Sequence, residues 1–393
     1  MLGEDTDNRP VMEGHPGDIG VAVTPTIRGT TAEDAKPRVA ARDRALDTLR
    51  GLFILMMISS HISDQTMSYA VLHLPRWFTG AEGFVLLSGV VLGIVHHTRL
   101  RAGELAATRR ILRRAGQLYV IHCALTLSLF VARMATGQPT FVPDVSALGG
   151  WPATIVSIAT LSAQPRFMDV LPLYVLLLLG APLVLGAMRR GASWLVLIAS
   201  VLSWLYAQAN PGFLVLSSPV FNSDAFHVPA WQLLFVIGLL VGHNRSAIVE
   251  AVRPYRWLVV GAAAVVLATT FVLAQLERPS IQLSPFSVPP AMLSKTDLGP
   301  VRLLTFFSFI IVAYSVIQAL EPHAVIGRLF GPLQTIGRRS LASFILLVGL
   351  TVVFVAAGGL SVSPRLQDIF TLVVMLLIYG AARSPLVRRV IPN

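Results

Sequence analysis

Charge is what this chain has least of. Of its 393 residues 13% are Asp, Glu, Lys or Arg and 54% are hydrophobic, whereas a soluble domain carries about 25% charge. So few polar groups cannot coat a water-soluble fold, and a mean hydropathy of +0.69 implies an integral membrane protein. Cysteine is nearly absent too. The single Cys123 lies in an apolar run, which excludes an intrachain disulfide and a cysteine-based metal site. Lysine is reduced to Lys36 and Lys295, so the net charge of +11 comes from arginine. A basic excess can signal nucleic acid, but these arginines sit in short clusters between apolar runs, which argues against that partner. The first 40 residues contain no apolar stretch of signal-peptide type. They are polar and rich in Gly, Pro, Thr, Asp and Glu, and predict a disordered cytosolic tail over 1–40. There is no internal repeat either, and many transporter folds are built from duplicated halves.

What is present is a series of apolar runs long enough to cross a bilayer, for which about 20 residues suffice. They predict an all-α membrane bundle of ten transmembrane helices over 45–64, 80–98, 113–133, 170–188, 193–210, 229–244, 256–275, 301–319, 338–357 and 364–381. The sixth is short. The segment 148–163, opened by Trp151-Pro152, is too short to span and reads as re-entrant or interfacial. Basic residues orient the bundle. With both termini cytosolic, 24 of the 31 Lys and Arg residues fall on the inside. The outside holds only Arg76, Arg133, Arg166, Arg278, Lys295, Arg302 and Arg365.

The first span carries Asp47, Arg50 and His61. Ionisable groups are expensive in hydrocarbon and mark function there by default. Asp47 and Arg50 are i,i+3 neighbours at the cytosolic end. His61 follows Arg50 by eleven residues, a rise of about 16 Å and close to three full turns, so the two side chains share a face. Taken alone, Arg50 is a snorkelling anchor and His61 a core histidine; the shared face favours one common cavity. Glu82 opens the second span, at a depth expected to be near His61. A carboxylate there can orient the imidazole or be held by its own helix N-terminus. Ser88, beside Gly89 and four residues before Gly93, is first a small-residue packing face.

Other polar residues collect at outer helix ends: Asp169, Tyr174, Asn222, Trp231 and Gln232. Together they suit a saccharide, with hydroxyls hydrogen-bonded and a ring face on an indole, although aromatics there also form an interfacial belt. On the inside, Arg109, Arg110, Arg113 and Arg114 crowd the third span. Forked guanidiniums bind phosphates, or simply set topology and meet anionic lipid. His122, about nine residues deeper, either joins the cavity or packs.

Arg50, ten intervening residues and His61 resemble the hallmark of the membrane-bound acyltransferase three superfamily. The segments Arg44-Ala45-Leu46-Asp47-Thr48-Leu49-Arg50-Gly51, Glu82-Gly83-Phe84-Val85-Leu86-Leu87-Ser88-Gly89 and Asp169-Val170-Leu171-Pro172-Leu173-Tyr174 are similar to the OpgC family. So are Phe221-Asn222, Pro229-Ala230-Trp231-Gln232-Leu233-Leu234-Phe235 and Ile336-Gly337-Arg338-Arg339-Ser340-Leu341. The resemblance runs from about residue 42 to 382, within an acyltransferase domain placed at 41–385. It implies ten spans in a bacterial cytoplasmic (inner) membrane and transfer of succinyl groups from cytosolic succinyl-CoA to a periplasmic glucan or another envelope polysaccharide. On that reading acyl-CoA, the co-substrate, docks on Arg50, Asp47, Arg113 and Arg114. His61 is the general base, Glu82 orients it, and Asp169, Tyr174, Asn222, Trp231 and Gln232 hold the acceptor. No metal is called for, a homo-oligomer is compatible, and the route is either direct or through an acyl-enzyme.

A different class of function uses the same residues. Buried Asp, Arg, His and Glu in a ten-span bundle also suit a proton-coupled transporter or flippase of a glycolipid. Thiol release from acyl-CoA by the purified protein separates the enzyme from the transporter.

Overall fold

A computed structural model describes residues 43–74, 76–99, 104–137, 142–165, 168–214, 226–276 and 288–385. The expected tail over 1–40 lies outside them, as does Asn222. The described chain is helical, with no strand among the described residues. In chain order the helices are α1 (Arg44–Ile62), α2 (Met67–Leu72), α3 (Gly80–Arg99), α4 (Glu104–Thr136), α5 (Trp151–Ala159) and α6 (Val170–Arg189). They continue with α7 (Ser193–Ala209), α8 (Val228–His243), α9 (Arg245–Val252), α10 (Arg256–Leu276) and α11 (Pro290–Leu293). The last five are α12 (Pro300–Leu320), α13 (Ala324–Leu329), α14 (Gly331–Arg338), α15 (Ser340–Ala356) and α16 (Pro364–Arg383).

Among the described residues six helices are long and apolar enough to cross a membrane, and a seventh span exists if α14 and α15, bent by 88°, count as one. Two further apolar helices, α7 with 17 residues and α8 with 16, fall short of that length, and α3 is apolar over 80–96. The ten full spans expected from hydropathy are therefore not all full length. The reason lies in the connections. Trp77, Phe78, Ala163, Gln164, Phe226 and Leu298 precede helices and are nonetheless buried, so infolded loops cover part of the distance.

α1 is the hub. Asp43 caps it by accepting from the Leu46 N–H at 3.1 Å, and Leu49, Phe53, Ile54 and Ile58 are wholly buried. A helix apolar all round belongs inside a bundle, and 72% of the apolar window of α1 is buried against 17% for Arg245–Leu276. Exposed Leu258, Val265 and Val272 on α10, with Leu183, Leu202, Leu372 and Leu376 elsewhere, form the apolar exterior that lipid solvates.

Two close approaches set the interior. Gly89 and Gly93 of α3 interlock with Gly238 and Gly242 of α8. A Cβ at Gly238 would come within 2.2 Å of the Leu86 carbonyl oxygen, and one at Gly89 within 2.3 Å of that of Phe235. Backbone cannot yield as a side chain can, so only glycine fits this seam, in which Ser88 is also buried. At the other end α14 crosses α1, with Gly51 against Leu333 and Gly337 against Asp47, both backbone to backbone.

The same contacts fix relative depth. A Cβ on Gly80 would meet the Phe53 carbonyl oxygen at 2.4 Å and the Met57 nitrogen at 3.1 Å. α3 therefore begins one to two turns before His61, roughly 6–12 Å along α1. Tyr174 of α6 packs edge-on against Phe84 at 5.6 Å and Phe235 at 6.2 Å, so α6 and α8 begin near the same level. α12 joins them through Arg302 and through Phe306, 6.2 Å from Phe53.

The segment 148–163 behaves as its length predicts. Arg133 of α4 donates to the Val142 carbonyl at 3.0 Å, whereas Tyr119, fourteen residues earlier and about 21 Å along the axis, donates to the Ala159 carbonyl at 2.8 Å. The chain descends along α4 through α5 and returns to start α6, with Thr126 beside Met168. It is re-entrant.

Candidate active site

The Arg50 end of α1 is built by the α14 crossing. With Gly337 seated on Asp47, Arg338 lands beside that carboxylate, its Nε 3.5 Å from Oδ2. Arg50 pairs with Asp47 from the same helix at 3.9 Å. The sharp elbow between α14 and α15 then brings Ser340 to Arg50, whose Nη2 donates to the Ser340 hydroxyl. Asp47 is 3% exposed and the Arg50 side chain 13%. A buried carboxylate between two guanidiniums is compensated, and it holds both cations in place. Further toward that end Asp43 accepts from Arg245 and from Tyr314 at 2.8 Å, which ties α1 to α9 and α12.

His61 lies in the last turn of α1 and is 5% exposed. Its helix is continuous from Arg44 to Ile62, so the common face of Arg50 and His61 survives folding. The depth expected for Glu82 does not. Because α3 starts beside Phe53–Met57, Glu82 sits deeper than His61, and its oxygens are engaged elsewhere. Oε1 accepts from Arg302 Nε at 2.5 Å; Oε2 accepts from the Thr79 N–H at 3.0 Å and its hydroxyl at 2.7 Å. Glu82 is fully buried and Arg302 7% exposed. Glu82 is the anion of a buried ion pair joining α3 to α12. Arg302 was counted only as an outer basic residue. The signal that marks it is its place inside an apolar helix, two residues after Pro300 at the N1 position.

The residues expected to meet a saccharide make the following contacts within the fold. Trp231 is fully buried; its indole N–H donates to the carbonyls of Lys295 at 3.1 Å and Thr296 at 3.0 Å, and Phe226 stands edge-on at 4.4 Å. Gln232 clamps α7 to α8 through the Ser200 hydroxyl and carbonyl, each at 2.8 Å. Tyr174 is buried between Phe84 and Phe235. Asp169, 5% exposed, accepts from the Val170 N–H at 3.1 Å and caps α6. Of the arginines on α4, Arg109, Arg110 and Arg113 are exposed and Arg114 is half-buried. His122 is fully buried on the same helix.

Above Glu82 the loop between α1 and α3 carries α2, whose Met67 and Ser68 N–H groups donate to Asp368 of α16 at 2.9 and 3.0 Å. His73 follows, stacked on Tyr69 at 4.0 Å and almost wholly buried. Burial lowers its pKa from 6.5 to about 4, opposed weakly by the Tyr69 carbonyl and by Glu82. The folded ring stays neutral where the unfolded ring takes a proton, so stability falls as pH drops from 6.5 toward 4. Thermal unfolding in detergent is expected to show that slope in the wild type and a flatter one in His73→Gln.

The family described as OpgC protein matches residues 42–386, most of the chain. No curated protein matches it.

Proposed function

The chain belongs to the OpgC family, and from that premise we propose that it is a membrane-embedded O-acyltransferase. It moves an acyl group, succinyl, from acyl-CoA at the cytosolic face to a hydroxyl of an extracytoplasmic glucan or other envelope polysaccharide. The observation that carries this reading is α1 itself: a single buried helix with a compensated cation cluster near one end and a buried imidazole about 16 Å further on. On this reading the six long helices, the bent α14–α15 pair and the three other apolar helices make ten crossings of the cytoplasmic membrane, with both termini and the basic clusters cytosolic by the positive-inside rule.

The nucleotide of acyl-CoA is too polar to cross. It docks at the cytosolic end on Arg50, Arg113 and Arg114, with Arg338 and Asp47 fixing Arg50. The thioester reaches toward His61, and the saccharide hydroxyl meets it from outside. His61 takes the hydroxyl proton as the oxygen attacks the thioester carbonyl; the carbon–sulfur bond breaks and CoA leaves as the thiol. Glu82 and Arg302 serve this chemistry by holding the starts of α3 and α12, with the polypeptide rather than a metal supplying every group.

The test is thiol release by the purified protein from succinyl-CoA. Release that depends on added glucose oligosaccharide, with a product heavier by one succinyl ester, is expected. Movement of intact saccharide across vesicles without thiol release would instead show a transporter.

A further inference from the structure

His227 has no part in the transfer just described, yet its imidazole is held in place by a carboxylate. It forms the N-cap of α8 and is fully buried. Nδ1 lies 2.9 Å from Asp297 Oδ1. Asp297 is itself held: the Ser294 hydroxyl donates to Oδ2 at 3.0 Å and accepts from the Asp297 N–H at 3.2 Å. An ionised carboxylate only accepts, so the hydrogen bond places a hydrogen on Nδ1, and in the tautomer this selects Nε2 carries the lone pair. Among the described residues that buried Nε2 has no hydrogen-bond partner.

The fold does not need this ring to hold the segment before α12. The His227 N–H donates to the Thr296 carbonyl at 3.2 Å, Trp231 donates to the carbonyls of Lys295 and Thr296, and Trp204 donates to that of Leu298 at 2.9 Å. Gln208 donates to the Asp297 carbonyl. The same segment runs through Leu293, whose carbonyl accepts from Arg302 Nη1 at 3.5 Å, into the ion pair with Glu82. An oriented, buried lone pair without a donor is costly and rarely left so. It suits a ligand that supplies an O–H.

We propose that His227 is a binding residue for the acceptor, its Nε2 accepting a hydrogen bond from a saccharide hydroxyl other than the one acylated. The inference rests on the acyltransferase reading. Because the ring is covered, the saccharide displaces part of that cover as it binds, and Asp297 keeps the ring aligned.

The test varies one ring atom at a time, with succinyl-CoA as donor and a glucose pentasaccharide as acceptor. His227→Asn retains a nitrogen donor for Asp297 and lacks the Nε2 acceptor; His227→Gln places an amide oxygen near it. Kinetics at matched amounts of folded protein are expected to show His227→Asn with kcat/KM for the acceptor down about 10- to 100-fold, KM for succinyl-CoA unchanged, and His227→Gln recovering most of the loss. Wild-type acceptor kinetics in His227→Asn would overturn the proposal, as would equal losses toward donor and acceptor. Should His227→Asn not fold, Asp297→Ala decides, since it removes the acceptor that aligns Nδ1. A severalfold higher acceptor KM at unchanged donor KM supports the assignment, and an unchanged acceptor KM refutes it. If the wild type transfers nothing, the acyltransferase reading itself has failed and this inference falls with it.

Discussion

Replacing His61 with alanine is expected to lower acyl transfer about 10²- to 10⁴-fold, the range that general-base assistance supplies. The protein should still fold. His61 stands in the last turn of α1, and the hub is built from Leu49, Phe53, Ile54 and Ile58, none of which depends on the ring. Removing a near-buried side chain at a helix end should cost about 1–2 kcal/mol, too little to account for a loss of that size. Initial rates at matched folded protein, with thermal unfolding alongside, measure both quantities. Turnover at the wild-type level in His61→Ala would remove His61 from the chemistry. Mixing succinyl-CoA with the wild type in the absence of acceptor, then quenching in acid, decides whether the acyl group rests on the enzyme. A trapped acyl-protein that disappears in His61→Ala makes the imidazole a nucleophile rather than a base.

The second large effect concerns stability. Arg302→Met leaves Glu82, fully buried, as a carboxylate whose only remaining partner from the described bonds is Thr79. Breaking a buried ion pair from one side costs about 3–5 kcal/mol, because the remaining charge is uncompensated, whereas replacing both partners with apolar residues of similar size is often neutral. Arg302→Met should therefore lower the yield and the unfolding temperature sharply, and Glu82→Met combined with Arg302→Met should restore most of both. Activity separates the two possible uses of the pair. A double variant that folds and still transfers shows that Glu82 and Arg302 only position α3 and α12. One that folds and is inactive shows that the charges themselves are used. A single Arg302→Met variant as stable as the wild type would contradict the ion pair outright.

These two predictions draw on different amounts of sequence information. His61 was marked by its distance from Arg50 along one helix, a relation that any continuous α1 preserves. Arg302 was not marked, because its partner is distant in the chain and the level at which α12 begins is invisible to hydropathy. Helix limits were legible to within a few residues at α1, α6, α10, α12 and α16, where apolar runs end in Pro at N1 or in basic residues. They were least legible near α14, a short amphipathic helix that hydropathy merges with the loop before α15. The partners of Trp231 were not legible for a related reason: the carbonyls its indole meets belong to Lys295 and Thr296, more than sixty residues away in the chain.

By itself the sequence determined that this is a helical membrane protein and that Arg50 and His61 share one face. Each of these follows from composition or from 1.5 Å of rise per residue, which folding cannot alter. The tertiary structure alone decided depth and partnership. Infolded loops start α3, α6, α8 and α12 inside the bundle, so Glu82 meets Arg302 rather than standing level with His61. The crossing at Gly51 and Gly337 places Arg338 on Asp47 and the elbow places Ser340 on Arg50. Contacts between residues hundreds of positions apart are settled by which backbones can approach, and that is a property of the packed bundle.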